Sequence, residues 1–211
     1  MGDDETPPTS AAESLALIEA QRDAAVLSLW PDPRLIYWPW GVAWFVGFGL
    51  LFLRQGPHDR VYVDMPQWLP LTTLYALMIV AGVVSGVSGA RANRQISGDS
   101  RIRGRRYGLS WGLGFLGTTA ICVHYSDLLP PDEVILLWSS ASVGLVGVLY
   151  LAGGAVWNST DLFVLGVWLT ISNVAGVIAG TGWHALITSI AGGGGLLVAG
   201  FVLWLSRRRL A

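Results

Sequence analysis

The residues able to do chemistry are few, and they gather in three places. His124 and Asp127, in "HYSD", stand at spacing i,i+3 and share one side of a helix. His58 and His184 fall near the same end of the apolar segments described below. The four together form a candidate outer-face polar cluster, where imidazole and carboxylate could bind a metal or sense protons. The spacing is diagnostic of neither, and no metal is assigned. Asn173, beside Ser172 and Thr170, sits within an apolar run. Its amide needs partners there, either a facing helix or a ligand. Gly192, Gly193, Gly194 and Gly195 are consecutive in "AGGGGLLVAG". Such a run permits very close helix packing, or it marks a broken helix whose backbone lines a substrate site. Gly82/Gly86, Gly108/Gly112 and Gly176/Gly180 repeat the small-xxx-small spacing. HExxH does not occur, and the one G-x-S-x-G match, Gly108 to Gly112, lies within an apolar run, so no catalytic residue is assigned, the chain reads as a non-enzyme, and no cofactor is expected. The single cysteine, Cys122, excludes an intrachain disulfide and reads as a buried, inert thiol.

The elements that must position these residues are long and apolar. The chain has 211 residues, 53% hydrophobic and 13% charged, about half the charge of an average soluble domain. Six apolar stretches, at about 38–54, 69–90, 107–128, 133–154, 161–180 and 183–205, each approach the ~20 residues a helix needs to cross the hydrocarbon core. They are too long and continuous for barrel strands. Trp38, Trp40, Trp68, Trp157, Trp183 and Trp204 fall near their ends, where indoles anchor at headgroup level. The expected fold is an all-α integral membrane protein, a six-transmembrane-helix bundle over 37–206. Before it, 1–36 forms a segment with one short amphipathic helix, opened by the Ser10/Glu13 capping box and stopped by Pro31 and Pro33. A basic tail, 207–211, follows. Asp127 and Asp161 lie near helix ends and no acid or arginine sits mid-span, which argues against a buried-carboxylate proton or sodium relay and against a voltage sensor.

All 13 basic residues are arginine. Six of them, Arg91, Arg94, Arg101, Arg103, Arg105 and Arg106, lie in "RANRQISGDSRIRGRRYG", read as a loop over 91–106. With both termini inside, this loop, Arg22, Arg34 and Arg207 to Arg209 face the cytoplasm, and only Arg54 and Arg60 face outward. The positive-inside tendency selects this orientation. The loop is then a topological anchor touching anionic headgroups, or a docking site for a cytoplasmic partner. Without stacking aromatics it does not read as a nucleic-acid site. The sequon Asn158-Ser159-Thr160 falls on the cytoplasmic side and is discounted.

Two short similarities hint at duplication: "GLLFLRQG" (49–56) with "GVLYLAGG" (147–154), and "VAGVVSG" (80–86) with "VAGVIAG" (174–180). Three spans repeated would make an inverted 3+3 architecture, as in many secondary transporters. The third pair of spans shows no match.

At "PDPRLIYWPWGVAWFVGFGLLFL" (31–53), "LGVWLTISNVAGVIAGTGWH" (165–184) and "AGGGGLLVAG" (191–200), the chain resembles a group of uncharacterised actinobacterial multi-pass membrane proteins often labelled only "transporter". The resemblance implies a bacterial inner-membrane protein and brings no substrate or site residues. The expected role is transport-associated, as a small permease or a membrane subunit of a larger transporter. The alternative is a non-transporting scaffold or sensor that docks a partner through 91–106. The expected partners are the lipid bilayer and either a second copy or another membrane or cytoplasmic subunit.

Overall fold

The computed structural model describes residues 10–12, 14–17, 32–94 and 99–210. Its helices are α1 (Pro33–Arg54), α2 (Trp68–Arg94), α3 (Asp99–Ser126), α4 (Pro131–Trp157), α5 (Thr160–Ala179), α6 (Trp183–Ile187) and α7 (Gly194–Leu210). A 3-10 turn lies at Pro57–Asp59, and a π-helical segment, Thr188–Gly193, joins α6 to α7. No strand occurs among the described residues. Of the expected N-terminal helix, residues 11–12 and 14–17 are helical; Glu13 and the stretch 18–31, with Arg22 and Pro31, lie outside the described residues.

Local chemistry sets the helix ends. Asp32 caps α1, its carboxylate accepting from the Arg34 backbone N–H at 2.9 Å, and Pro33 follows at a position that needs no donor. α4 opens on Pro131 with Asp132 and Glu133 in its first turn, where carboxylates complement the helix dipole. The discounted sequon is a helix junction. Asn158 ends α4 in the left-handed conformation (φ 50°), and Ser159 caps α5 by accepting from Leu162 N–H. Between α1 and α2 the chain folds back on α1. Tyr62 and Val63 N–H donate to the Leu53 carbonyl, Arg54 Nε donates to the Met65 carbonyl at 2.9 Å, and Phe52 stacks on Tyr62.

Five helices are long and apolar enough to cross a membrane: Pro33–Arg54, Trp68–Arg91, Pro131–Trp157, Thr160–Ala179 and Trp183–Arg209, the last running through α6, the π segment and α7. With 28 residues, α3 has ample length, but Gly108, Ser110, Gly112, Gly114, Gly117, Thr118 and Thr119 dilute its apolar stretch and it is outside this set. Ile178, Ile79 and Leu116 are 81%, 68% and 67% exposed. Large apolar side chains turned outward along the helices identify hydrocarbon, not water, as their surroundings. The chain is an all-helical, multi-pass membrane protein.

The helices form an arc. α2 packs on α1, α1 on the α6–π–α7 path, that path on α5, α5 on α4, and α4 on α3. Each neighbour runs antiparallel to the last. Tyr107 reaches Leu149 while Ser126 reaches Trp138, and Trp38 reaches Leu197 while Ser189 reaches Phe45. One end of the arc therefore collects Arg34, Arg91, Arg94, Arg101, Arg103, Arg105, Arg106 and Arg207 to Arg209. Arg54, Arg60 and the 55–66 connection lie at the other. The core centres on Ala43, Trp44, Phe48, Leu74, Val143, Leu165, Leu169 and Leu196.

The arginine-rich segment is not a loop. α2 runs through Arg91 to Arg94 and α3 begins at Asp99, so Arg101, Arg103, Arg105 and Arg106 stand on a helix, all exposed. Arginine is a good helix former, and a helix can continue past the apolar layer. Only residues 95–98, between the two, lie outside the described residues. Of the glycines at the repeated spacings, only Gly176 packs closely, on His184. A Cβ at Gly86, Gly108 or Gly112 would meet nothing within 4 Å, and at Gly82 only Trp40 at 4.0 Å. Other tight contacts include Gly47 on Leu74, Gly147 on Thr170, Gly154 on Phe163 and Gly166 on Leu151.

Candidate functional site

Polar side chains inside the apolar bundle converge on one point, where α4, α5 and α6 meet. Asn173 on α5 faces α4, and its Nδ2 donates to the Ser140 carbonyl at 3.0 Å. That carbonyl can only accept, so the amide is fixed in orientation and Oδ1 is turned toward α6. There, His184 Nε2 lies 2.9 Å from Asn173 Oδ1. Since Oδ1 can only accept, Nε2 carries the proton, and in the neutral ring Nδ1 presents a lone pair. Two hydroxyls flank that nitrogen, Ser139 Oγ at 3.3 Å and Thr188 Oγ1 at 3.5 Å. Ser139 Oγ is also 2.7 Å from the Ile135 carbonyl, so its single proton has a competing acceptor. His184 is 2% exposed, and Gly176 makes room for it: a Cβ there would come within 2.8 Å of its ring.

The node sits at the foot of a cavity of about 300 Å³. His184 and Ser139 form its floor, Phe48, Leu51, Ile135 and Leu136 its apolar walls, and Gln55, Asp132 and Thr181 its polar rim. Two left-handed glycines shape the rim. Gly180 (φ 87°) ends α5 and Gly182 (φ 81°) starts α6, where a side chain would strike the Pro57 nitrogen at 2.5 Å. The cavity therefore lies at the end of Arg54 and Arg60, opposite the arginine-rich end.

Of the residues singled out in the sequence, His184 and Asn173 are joined directly. His58, His124 and Asp127 are exposed and take no part in this node. His58 stands in the 3-10 turn at φ 56°, and the His124 ring contacts Tyr125 edge-on. No group of three or more His, Cys, Asp or Glu placed to hold a metal occurs among the described residues. Sharing an end of the bundle does not bring four side chains together, because rotation about each helix axis decides where they point. Neither Asn173 nor the glycine run lines the cavity.

The glycine run does not break the helix. Ile187 and Gly194, flanking the π segment, both have ordinary right-handed helical angles. The run instead widens one turn, a geometry often found at functional sites. Gly193 lies against α1, where a Cβ would approach the Phe45 nitrogen at 2.4 Å; Gly192 lies under Trp44 and Gly195 under Trp168. Three hydrogen bonds pin the widened turn and its flank: Trp168 Nε1–H donates to the Ala191 carbonyl at 2.8 Å, Ser189 Oγ to the Phe45 carbonyl at 2.7 Å, and Trp38 Nε1–H to the Leu197 carbonyl at 3.2 Å. Among the described residues no buried side-chain nitrogen or oxygen lacks a partner.

Ser139, Ser140, Thr188, Ser189, Trp168 and Asp132 did not stand out in the sequence. The signal available was the pairing of small hydroxyls inside apolar runs, "LWSSAS" and "LITSI", which in a membrane tend to face other helices.

Comparison with known proteins adds no identity: the chain matches no protein-family model, no curated protein and no solved structure.

Proposed function

We propose that the chain is a transport-associated membrane protein, a small permease or the membrane subunit of a larger transporter, that takes a solute into the His184 cavity. The observation that carries this reading is a cavity open at one end of the bundle and floored by a hydrogen-bonded polar node. A bundle serving only as a scaffold has no need to keep polar groups at the base of a cleft. Below the node, Gly193 packs directly against the α1 backbone at Phe45, as expected of a state open at one end only.

In this reading α3 crosses with the other five, giving six crossings of a bacterial inner membrane. Both termini and the arginine end face the cytoplasm, following the positive-inside tendency. The lineage resemblance favours the same membrane. The near-equivalent intimate pairs α1–α2 and α4–α5 favour an inverted repeat. The outward faces of α2 and α3 leave room for a second copy or a partner subunit.

One observation favours the docking alternative: Arg101, Arg103, Arg105 and Arg106 project from α3 as exposed cations on an ordered helix. The discriminating experiment is thiol accessibility. In a Cys122→Ala background, Leu136→Cys should react with a membrane-impermeant maleimide, because solute entry requires a wet cavity. Absence of reaction would leave the docking role as the better account.

A further inference from the structure

Building on that reading of the cavity, we propose that its ligand is a small protonated amine, recognised by the Asp132 carboxylate at the rim and by the Ser139–His184 pair at the floor. Gln55 and Thr181 at the rim can donate or accept, and the remaining polar groups, Asp132, Ser139 and His184, are weighted toward accepting. Asn173 fixes the proton of His184 on Nε2, which leaves Nδ1 as an acceptor between the Thr188 hydroxyl at 3.5 Å and the Ser139 side. The Ser139 hydroxyl has the Ile135 carbonyl available for its proton, which frees its oxygen to accept. Asp132 adds a carboxylate.

Charge points the same way. The lining contains Asp132 and no arginine. The two arginines at this end are engaged with the connecting segment: Arg54 donates to the Met65 carbonyl, and the Arg60 guanidinium lies 5.1 Å from the Tyr62 ring centre. The N-terminus of α4 would by itself favour an anion, but Asp132 and Glu133 already occupy that first turn. An anion would thus meet a carboxylate and lone pairs, whereas an ammonium group donates to each of them. The walls of Phe48, Leu51, Ile135 and Leu136 suit a short apolar or aromatic substituent, and a volume of about 300 Å³ holds a molecule of that size.

The test is protection of a cavity thiol in the full-length protein, purified in detergent, with Cys122→Ala and Leu136→Cys. Labelling by a fluorescent maleimide is timed with benzylammonium chloride, sodium benzoate or benzyl alcohol at matched ionic strength. Benzylammonium should slow labelling, benzoate should not, and Asp132→Asn should weaken protection roughly tenfold, as for loss of a charge-assisted hydrogen bond. Asp132 is exposed at the rim, so its variant leaves the core intact; Ser139→Ala, at the floor, should weaken protection as well. Protection by benzoate at least equal to that by benzylammonium overturns the ligand class while leaving the cavity reading standing. So does benzylammonium protection that survives both substitutions. A thiol that never reacts, with or without probe, removes the cavity reading and this proposal with it.

Discussion

The imidazole of His184 and the amide of Asn173 meet through Nε2 and Oδ1 at 2.9 Å, across the junction of α6 with α5. The bond ties the start of the last membrane segment to the helix before it, a turn above the widened π segment. It also sets which histidine nitrogen is protonated. A group that packs the bundle thereby decides what the cavity floor offers to a ligand.

Replacing Asn173 with Leu strands the Nε2 proton in an apolar junction. The expected cost is about 1–2 kcal/mol, the range for buried interhelical hydrogen bonds in membranes and for orphaned donors. Unfolding of the purified protein in mixed micelles measures it. The double variant Asn173→Leu/His184→Phe should cost less than the sum of the singles, since the two side chains share one bond. Strict additivity would mean that the pair is not coupled.

Glycine substitutions should separate into two classes. Gly193→Ala drives a methyl against the backbone nitrogen of Phe45 and should destabilise by about 1–3 kcal/mol, as overpacking does. Gly86→Ala meets nothing within 4 Å and should be neutral or mildly stabilising through helix propensity. Thermal unfolding of both variants checks the contrast.

These contrasts show how far the sequence could be read. Five of the six expected spans are long, apolar helices, because a backbone in hydrocarbon has little choice but to bond to itself. The partners of Asn173 were foreseeable in kind, as interhelical bonds, but not in identity. The grouping of His184 with His58, His124 and Asp127 rested on a shared end of the bundle, while helix rotation turned His184 inward and left the others exposed. The four glycines from Gly192 were compatible with packing or with a break. The outcome, a π turn pinned by Trp168 and packed on Phe45, depends on residues 23 and more positions away. The arginines at 91–106 read as a loop by their charge, but arginine favours helix and both flanking helices run on past the apolar layer.

Trp168→Phe keeps the ring over Gly195 and removes the N–H that reaches the Ala191 carbonyl at 2.8 Å. The expected loss is about 0.5–1.5 kcal/mol, the net value of a typical intramolecular hydrogen bond. Amide exchange in the 188–194 region should quicken; unchanged exchange there would deny the indole any part in holding the π turn.

At the other end of the bundle, Asp32 caps α1 and accepts from Arg34 Nη2 at 2.7 Å. The bond to Arg34 outweighs burial and holds the Asp32 carboxyl below its ordinary range. A depressed carboxyl contributes stability above its unfolded pKa and loses it as pH falls through the lower, folded value. Asp32→Ala should cost ~1 kcal/mol at neutral pH, and Asp32→Asn, which can still cap, less. The gap between wild type and Asp32→Ala should narrow on acidification; thermal melts across acidic pH would follow it, and a constant gap would contradict the assignment.

The account depends above all on an alternating bundle whose arginine end faces the cytoplasm and whose cavity end faces out. Val61 and Ser100 are exposed and lie on opposite sides of α2 in the chain. In a Cys122→Ala background, Val61→Cys should react with an impermeant maleimide in intact spheroplasts of a bacterial host. Ser100→Cys should react only after permeabilisation. Reaction of both from the same side, or of Ser100→Cys alone from outside, would contradict the account.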